Sequence, residues 1–226
     1  MSLDTARDSQ TDLTEAGERR PGGFWATVHR IRQHDRFIFV TMLVSACASL
    51  VASFVLSVDA LRLAADPGTQ LSCDISSTLS CGTVAQSWQA QLLGFPNAFL
   101  GLIAEPVVIT IAVAALGGVR FPRWFMVSAQ TVYTLGVIFA YWLFVQSMFV
   151  IHALCPWCLL VTVSTTLVFT SLTHVNIRDG NLPLPPRMLS QARALIAADV
   201  DAIGVAAWLV FLAAAILARY GVALFG

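Results

Sequence analysis

Five stretches of the chain, 37–61, 97–116, 124–150, 155–173 and 200–225, are almost entirely apolar and each is long enough to cross a hydrocarbon layer about 30 Å thick as a helix. No water is available in such a layer to satisfy a bare backbone, so segments of this kind must be helical. The expected class is therefore all-α: a polytopic integral membrane protein whose first four spans bundle and whose fifth lies beside them. Charge agrees. Only 12% of the 226 residues are charged, where a soluble domain would carry about 25%. The formal net charge of zero argues against a nucleic-acid partner.

The polar remainder divides the chain. Residues 1–36 are Arg-rich and lack apolar periodicity, which reads as a disordered arm with a possible surface helix over 24–37. Residues 62–96 form the one long polar connection, in which TVAQSWQAQLLG is expected to make a short helix lying on the membrane and capping the bundle. Residues 37–174 are expected to be a four-helix core, and 175–199, with its NLPLPP run, a loop before the last span at 200–225.

Arginine placement orients the spans. All 13 basic residues are arginine; Arg7, Arg19, Arg20, Arg30, Arg32, Arg36, Arg120, Arg123, Arg178, Arg187 and Arg193 fall on one side, against Arg62 and Arg219 on the other. The positive-inside rule then places the N-terminus in the cytoplasm, and the polar loop and the C-terminus outside. A multi-pass protein of a bacterial-type inner membrane is expected, with its outer face in an oxidising compartment.

Five cysteines are present. Cys47 sits in Val44-Ser45-Ala46-Cys47, which resembles a lipoprotein processing site, but apolar sequence continues well beyond it. The stretch reads as an uncleaved anchor with Cys47 as a small packing residue. The other four gather on the outer side: Cys73 and Cys81 in CDISSTLSC, Cys155 and Cys158 in CPWC. Pro156 suits the first position of a helix. A thiolate at Cys155 would then face that helix's dipole and unpaired amides, lowering its pKa from about 8.5. A mobile pair beside a helix-seated pair suits thiol–disulfide exchange through mixed disulfides. Electrons leaving thiols at a membrane surface have a natural two-electron acceptor in a lipid-soluble quinone. Zinc is the chemical rival, but its usual ribbon has two Cys-X2-Cys knuckles in a soluble fold, and no metal is expected here. The rival of another class is a non-enzymatic bundle whose outer cysteines form structural disulfides.

CDISSTLSCGTVAQSWQAQLLGFPNAFLGL, followed about seventy residues after Cys81 by CPWC, resembles the bacterial homologues of vitamin K epoxide reductase over roughly Phe37 to Thr173. The cysteine order, loop pair first, is the most specific part; another bacterial family of quinone-coupled disulfide-forming proteins has the reverse order. The resemblance implies a four-helix bundle around a quinone, of menaquinone or ubiquinone type, capped by the loop. It implies that Cys158 meets the quinone, Cys155 exchanges with Cys81, and Cys73 meets an external thiol partner. Ser87 matches a family serine or threonine near the active site, and Asn97 an asparagine that hydrogen-bonds the quinone. Thr162 stands where the animal enzymes carry a tyrosine, so epoxide reduction and coumarin-type inhibition do not transfer. Some relatives continue into a thioredoxin-like domain; here the partner is expected to be a separate extracytoplasmic thioredoxin-fold protein.

Four further residues bear on the site. Glu105, inside the second span, must be protonated, paired or facing a polar cavity, which makes it a candidate proton route to the quinone or a packing residue beside Pro106. Trp157 is a candidate stacking surface for the quinone or an interfacial anchor. His152 either tunes Cys155 or lies at the interface. Asp74 should raise the pKa of Cys73 by like-charge repulsion.

Overall fold

Serine, alanine and glycine occupy the positions where the first helices of this all-helical chain meet. The computed structural model describes residues 35–76 and 78–225, the side chains of Asp35 and of 222–225 aside. The arm expected over 1–36 and the surface helix over 24–37 lie, as far as His34, outside the described residues. The elements are α1 (Asp35–Ala65), α2 (Cys81–Ala85), a 3-10 turn (Trp88–Gln91), α3 (Ala98–Leu116), α4 (Arg123–Gln146) with a π-helical turn (Ser147–Ile151), α5 (Pro156–Arg178), α6 (Pro186–Ala197) and α7 (Val200–Phe225). Five helical stretches, 36–65, 98–116, 123–151, 156–178 and 200–221, are long and apolar enough to cross a membrane.

α1 is the central post. Its 31 residues extend about 46 Å at 1.5 Å per residue. Ser45, Ala46, Ser49, Ala52, Ser53 and Ser57 on it are buried. Small residues let neighbouring backbones approach, the principal source of packing energy between helices in lipid. The closest approach is to α3 at Gly101, where an added Cβ would lie 2.0 Å from Ser53 Oγ and 2.8 Å from Ser53 Cβ. Towards the other end, Met42 and Ala46 join Val108, Ile111 and Ala112 of α3, Tyr133 of α4 and Val168 and Leu172 of α5 in the main apolar core.

Polar contacts hold the rest. Asn176 is fully buried and donates to Gln130 Oε1 (3.0 Å), while Gln130 Nε2 donates to Thr173 Oγ1 (2.9 Å), tying α5 to α4. α7 is attached at three levels: His174 with Asp201 (2.7 Å), the Trp208 indole donating to the Tyr141 hydroxyl (2.7 Å), and the Tyr220 hydroxyl donating to the Met148 carbonyl (2.7 Å).

Three features differ from the sequence expectation. The capping helix is two short pieces, α2 and the 3-10 turn, because Ser87 between them is extended (φ −71°, ψ 148°). The stretch 175–199, expected as a loop, contains α6, with Pro186 in its first turn. Cys47 is exposed rather than packed. Its neighbours one turn away on α1, Val44 and Val51, are exposed as well, so that stripe faces away from the bundle.

Candidate active site

Local chain geometry brings the two cysteine pairs together. α4 ends in the π-helical turn, and His152 then takes a left-handed conformation (φ 61°) that reverses the chain. The Ser147 hydroxyl donates to the Ala153 carbonyl across this corner. Leu154 then forms a parallel bridge with Leu79: its N–H donates to Thr78 O (2.8 Å), and Ser80 N–H donates back to Leu154 O (3.1 Å). This bridge sets Cys81, two residues beyond Leu79, against Cys155, one residue beyond Leu154.

Cys73 and Cys81 form a disulfide. Cys155 Sγ stands 3.3 Å from Cys81 Sγ, and both residues are 1% exposed. Cys155 is the N-cap of α5, with Pro156 in the first turn, and its sulfur accepts the Cys158 N–H at 3.4 Å. The Cys155 thiol is held below its ordinary pKa. A hydrogen bond from the Cys158 side chain is the main cause; burial opposes it, and the backbone N–H groups of Cys158 and Trp157 assist. A free thiol favoured as thiolate, within van der Waals reach of a disulfide sulfur, is an arrangement for thiol–disulfide exchange.

Asp74 has a structural task that its sequence position conceals. Its carboxylate accepts the Leu71 N–H (2.9 Å), the Gly82 N–H (2.9 Å) and the Ser80 hydroxyl (2.8 Å), while Ser80 Oγ caps α2 by accepting Thr83 N–H. Burial alone would raise its pKa, but the Gly82, Leu71 and Cys81 amides and the Ser80 hydroxyl hold it below the usual carboxylate value. The expected repulsion of a Cys73 thiolate gives way to this: Cys73 is bonded, and the carboxylate is turned to the start of α2. A side chain at Gly82 would come within 2.9 Å of it.

Beneath the cysteines lies a cavity of about 760 Å3. Cys81, Cys155, Cys158, Ser87, Asn97 and Glu105 are on its wall, and the remainder is mostly apolar, including Leu100, Leu135 and Phe139. That volume lies in the range of pockets for drug-sized ligands, and an apolar wall with a few polar groups is their usual composition. The cap roofs it: Asn97 Nδ2 donates to Gln89 O (2.6 Å), and Gln89 Nε2 donates to Gln146 Oε1 (3.3 Å). Asn97 Oδ1 is buried without a hydrogen-bond partner. Ser87 donates to Val84 O (2.6 Å). Glu105, 4% exposed, receives the Ser49 hydroxyl on Oε1 and the Tyr133 hydroxyl on Oε2, both at 2.8 Å.

Two candidates stand elsewhere. Trp157 packs against the cluster formed by Leu63, Leu71, Cys73, Cys81 and Cys155 and is not among the residues on the cavity wall. His152 is exposed, and its ring nitrogen meets the Val150 carbonyl at 3.0 Å. Among the described residues, no three His, Cys, Asp or Glu side chains are grouped to hold a metal ion.

Sequence reasoning passed over Asp59. It is 5% exposed on α1, with one carboxylate oxygen lacking a partner, and its charge bears on Cys155. The signal was available: an acid in an apolar run, spaced three and four residues from Leu56 and Leu63, shares their buried face.

No curated protein gave a match to this chain. The model of the vitamin K epoxide reductase family matches residues 40–173, more than half of the sequence and all four clustered cysteines. The chain therefore belongs to the vitamin K epoxide reductase family, as a membrane thiol–disulfide oxidoreductase.

Proposed function

We infer that the chain oxidises a separate thioredoxin-fold dithiol protein and delivers the electrons to a quinone held beneath CPWC. The observation that carries this reading is the 3.3 Å separation between Cys155 Sγ and a sulfur of the Cys73–Cys81 disulfide, at the roof of an apolar cavity that Cys158 lines. The arginine distribution supports an inner-membrane protein with its N-terminus in the cytoplasm and this end of the bundle outside.

The steps balance as follows. The partner dithiol reduces Cys73–Cys81 and leaves as a disulfide. The Cys81 thiolate attacks Cys155 of an oxidised CPWC pair, forming a Cys81–Cys155 bond and releasing Cys158. Cys73 attacks Cys81, re-forming the loop disulfide and releasing Cys155. The observed arrangement, loop pair bonded and CPWC pair free, corresponds to the end of this exchange. A bound quinone supplies a sink for two electrons and two protons. Closure of Cys155–Cys158 discharges both electrons beside the cavity. The residues fit such a head group: Asn97 Oδ1, buried and unpartnered, can accept a hydroxyl of the reduced ring, and the apolar wall excludes water.

The test uses membranes containing the full chain. Reduced thioredoxin-fold protein and a short-chain quinone should give quinol and protein disulfide in equal amounts, and Cys81→Ala or Cys158→Ser should abolish both. Maleimide tagging that finds Cys155 and Cys158 unchanged by quinone or reduced partner would refute the reading and leave a bundle with a structural bridge.

A further inference from the structure

Re-forming the loop disulfide requires a proton to move. In Cys73-SH plus Cys81–S–S–Cys155 going to Cys73–S–S–Cys81 plus Cys155-SH, one S–S bond breaks and one forms. One proton leaves Cys73 and one arrives at Cys155, with no net change in electrons. Cys73, Cys81 and Cys155 are buried in one apolar cluster, where bulk water cannot readily take or supply that proton.

Asp59 is the buried acid on the face of α1 that meets that cluster. It lies on α1 between Leu56 and Leu63, both packed against the cysteines, and is 5% exposed. Its Oδ2 is buried with no hydrogen-bond partner, while Oδ1 is only 4.0 Å from an Arg62 guanidinium that is itself largely exposed. An orphaned carboxylate oxygen in a dry site is costly and calls for an explanation. The charged or titratable groups around it are Arg62 on its own helix, Asp74 beside Cys73, and Cys155 ahead of α5. A negative Asp59 opposes a thiolate at Cys155 by like-charge repulsion, which puts the two groups within electrostatic reach of each other.

We propose that Asp59 carries the proton that passes from Cys73 to Cys155 when the loop disulfide re-forms, and carries it back in the reverse exchange. The carboxylate takes the proton as Cys73 becomes a thiolate, and the carboxylic acid yields it to Cys155 as that sulfur leaves Cys81. This rests on the relay described above, but not on any quinone.

The test therefore omits quinone. The full chain, with both pairs oxidised, is mixed with dithiothreitol in detergent, quenched in acid and tagged with maleimide, and the arrival of electrons at Cys155 and Cys158 is followed from pH 6 to 9. Cys81→Ala provides the background of direct reduction. General acid–base assistance contributes typically 10^2–10^4-fold. Asp59→Asn should slow the transfer on the order of a hundredfold at neutral pH, make it rise steeply with pH, and restore sensitivity to added imidazole. Asp59→Glu should recover most of the rate. Transfer at the wild-type rate and pH profile in Asp59→Asn overturns Asp59's role while leaving the relay intact. Equal slowing in the Asn and Glu variants, with unfolding at lower temperature in both, also overturns it by making the residue structural. Absence of transfer above background in the wild-type chain overturns the relay and Asp59's role together.

Discussion

Replacing Gly101 by alanine should force α1 and α3 apart. The new Cβ would meet Ser53 Oγ at 2.0 Å and Ser53 Cβ at 2.8 Å. A change of Ser53 rotamer can relieve the first contact but not the second. Carbon atoms pack at about 3.5 Å or more, so the two backbones must separate by roughly 0.7 Å. Overpacking of this kind costs about 1–3 kcal/mol. The same reasoning predicts the rescue. Ser53→Ala removes only the oxygen and should recover part of the loss; Ser53→Gly removes both offending atoms and should recover most of it. Thermal unfolding in lipid nanodiscs, followed by tryptophan fluorescence for the wild-type chain, the three single variants and the two pairs, closes two double-mutant cycles. Both residues line the cavity, so Gly101→Ala should also weaken binding of an apolar ligand there. A Gly101→Ala chain as stable as wild type, or one that Ser53→Gly fails to rescue, would refute the close approach of these helices.

Three other outcomes are expected. Because Asp74's folded pKa lies below its unfolded value of about 3.9, its contribution is complete above that value and fades as pH falls through the folded pKa. Phosphine reduction of Cys73–Cys81 should therefore accelerate in acid, and Asp74→Asn should be faster at pH 7, with the difference from wild type narrowing as pH falls. Cys47→Ala should leave thiol oxidation and unfolding unchanged within about 0.5 kcal/mol, because the side chain is exposed and away from the bundle. Tyr220→Phe leaves the buried Met148 carbonyl without its hydroxyl donor and should destabilise the attachment of α7 by about 1–3 kcal/mol, measured as earlier proteolysis of that helix.

The fold was legible because each span is longer and more apolar than any soluble element requires, and because the cysteine order together with the CPWC spacing is specific. Details depending on which face of a helix turns inward were harder to read. Cys47 and Ser49 are two positions apart in the same small-residue run, yet one is exposed and the other is buried and donates to Glu105. α6 was obscured by its prolines, which read as loop punctuation although Pro186 opens a helix. Asp74 looked like an electrostatic neighbour of Cys73, and only the fold of the loop reveals that its oxygens serve residues at 71, 80 and 82. Asp59 required knowing which face of α1 meets the cysteines. Trp157, a candidate ring to stack on a quinone, packs against the cysteine cluster and is not on the cavity wall, whereas its neighbour Cys158 is.

The Leu79–Leu154 bridge makes the loop mechanically unequal at its two sulfurs. Cys81 follows a bridged segment pinned to the bundle and begins a capped helix, whereas Cys73 is held from the other side through its own disulfide and the hydrogen bonds of Asp74. When the disulfide opens, only the Cys73 arm loses its covalent tether, so the loop behaves as a door hinged at Cys81 and latched at Cys73. In the proposed relay the Cys73 side would be the free edge that a partner dithiol meets, with Cys155 buried behind the hinge at Cys81.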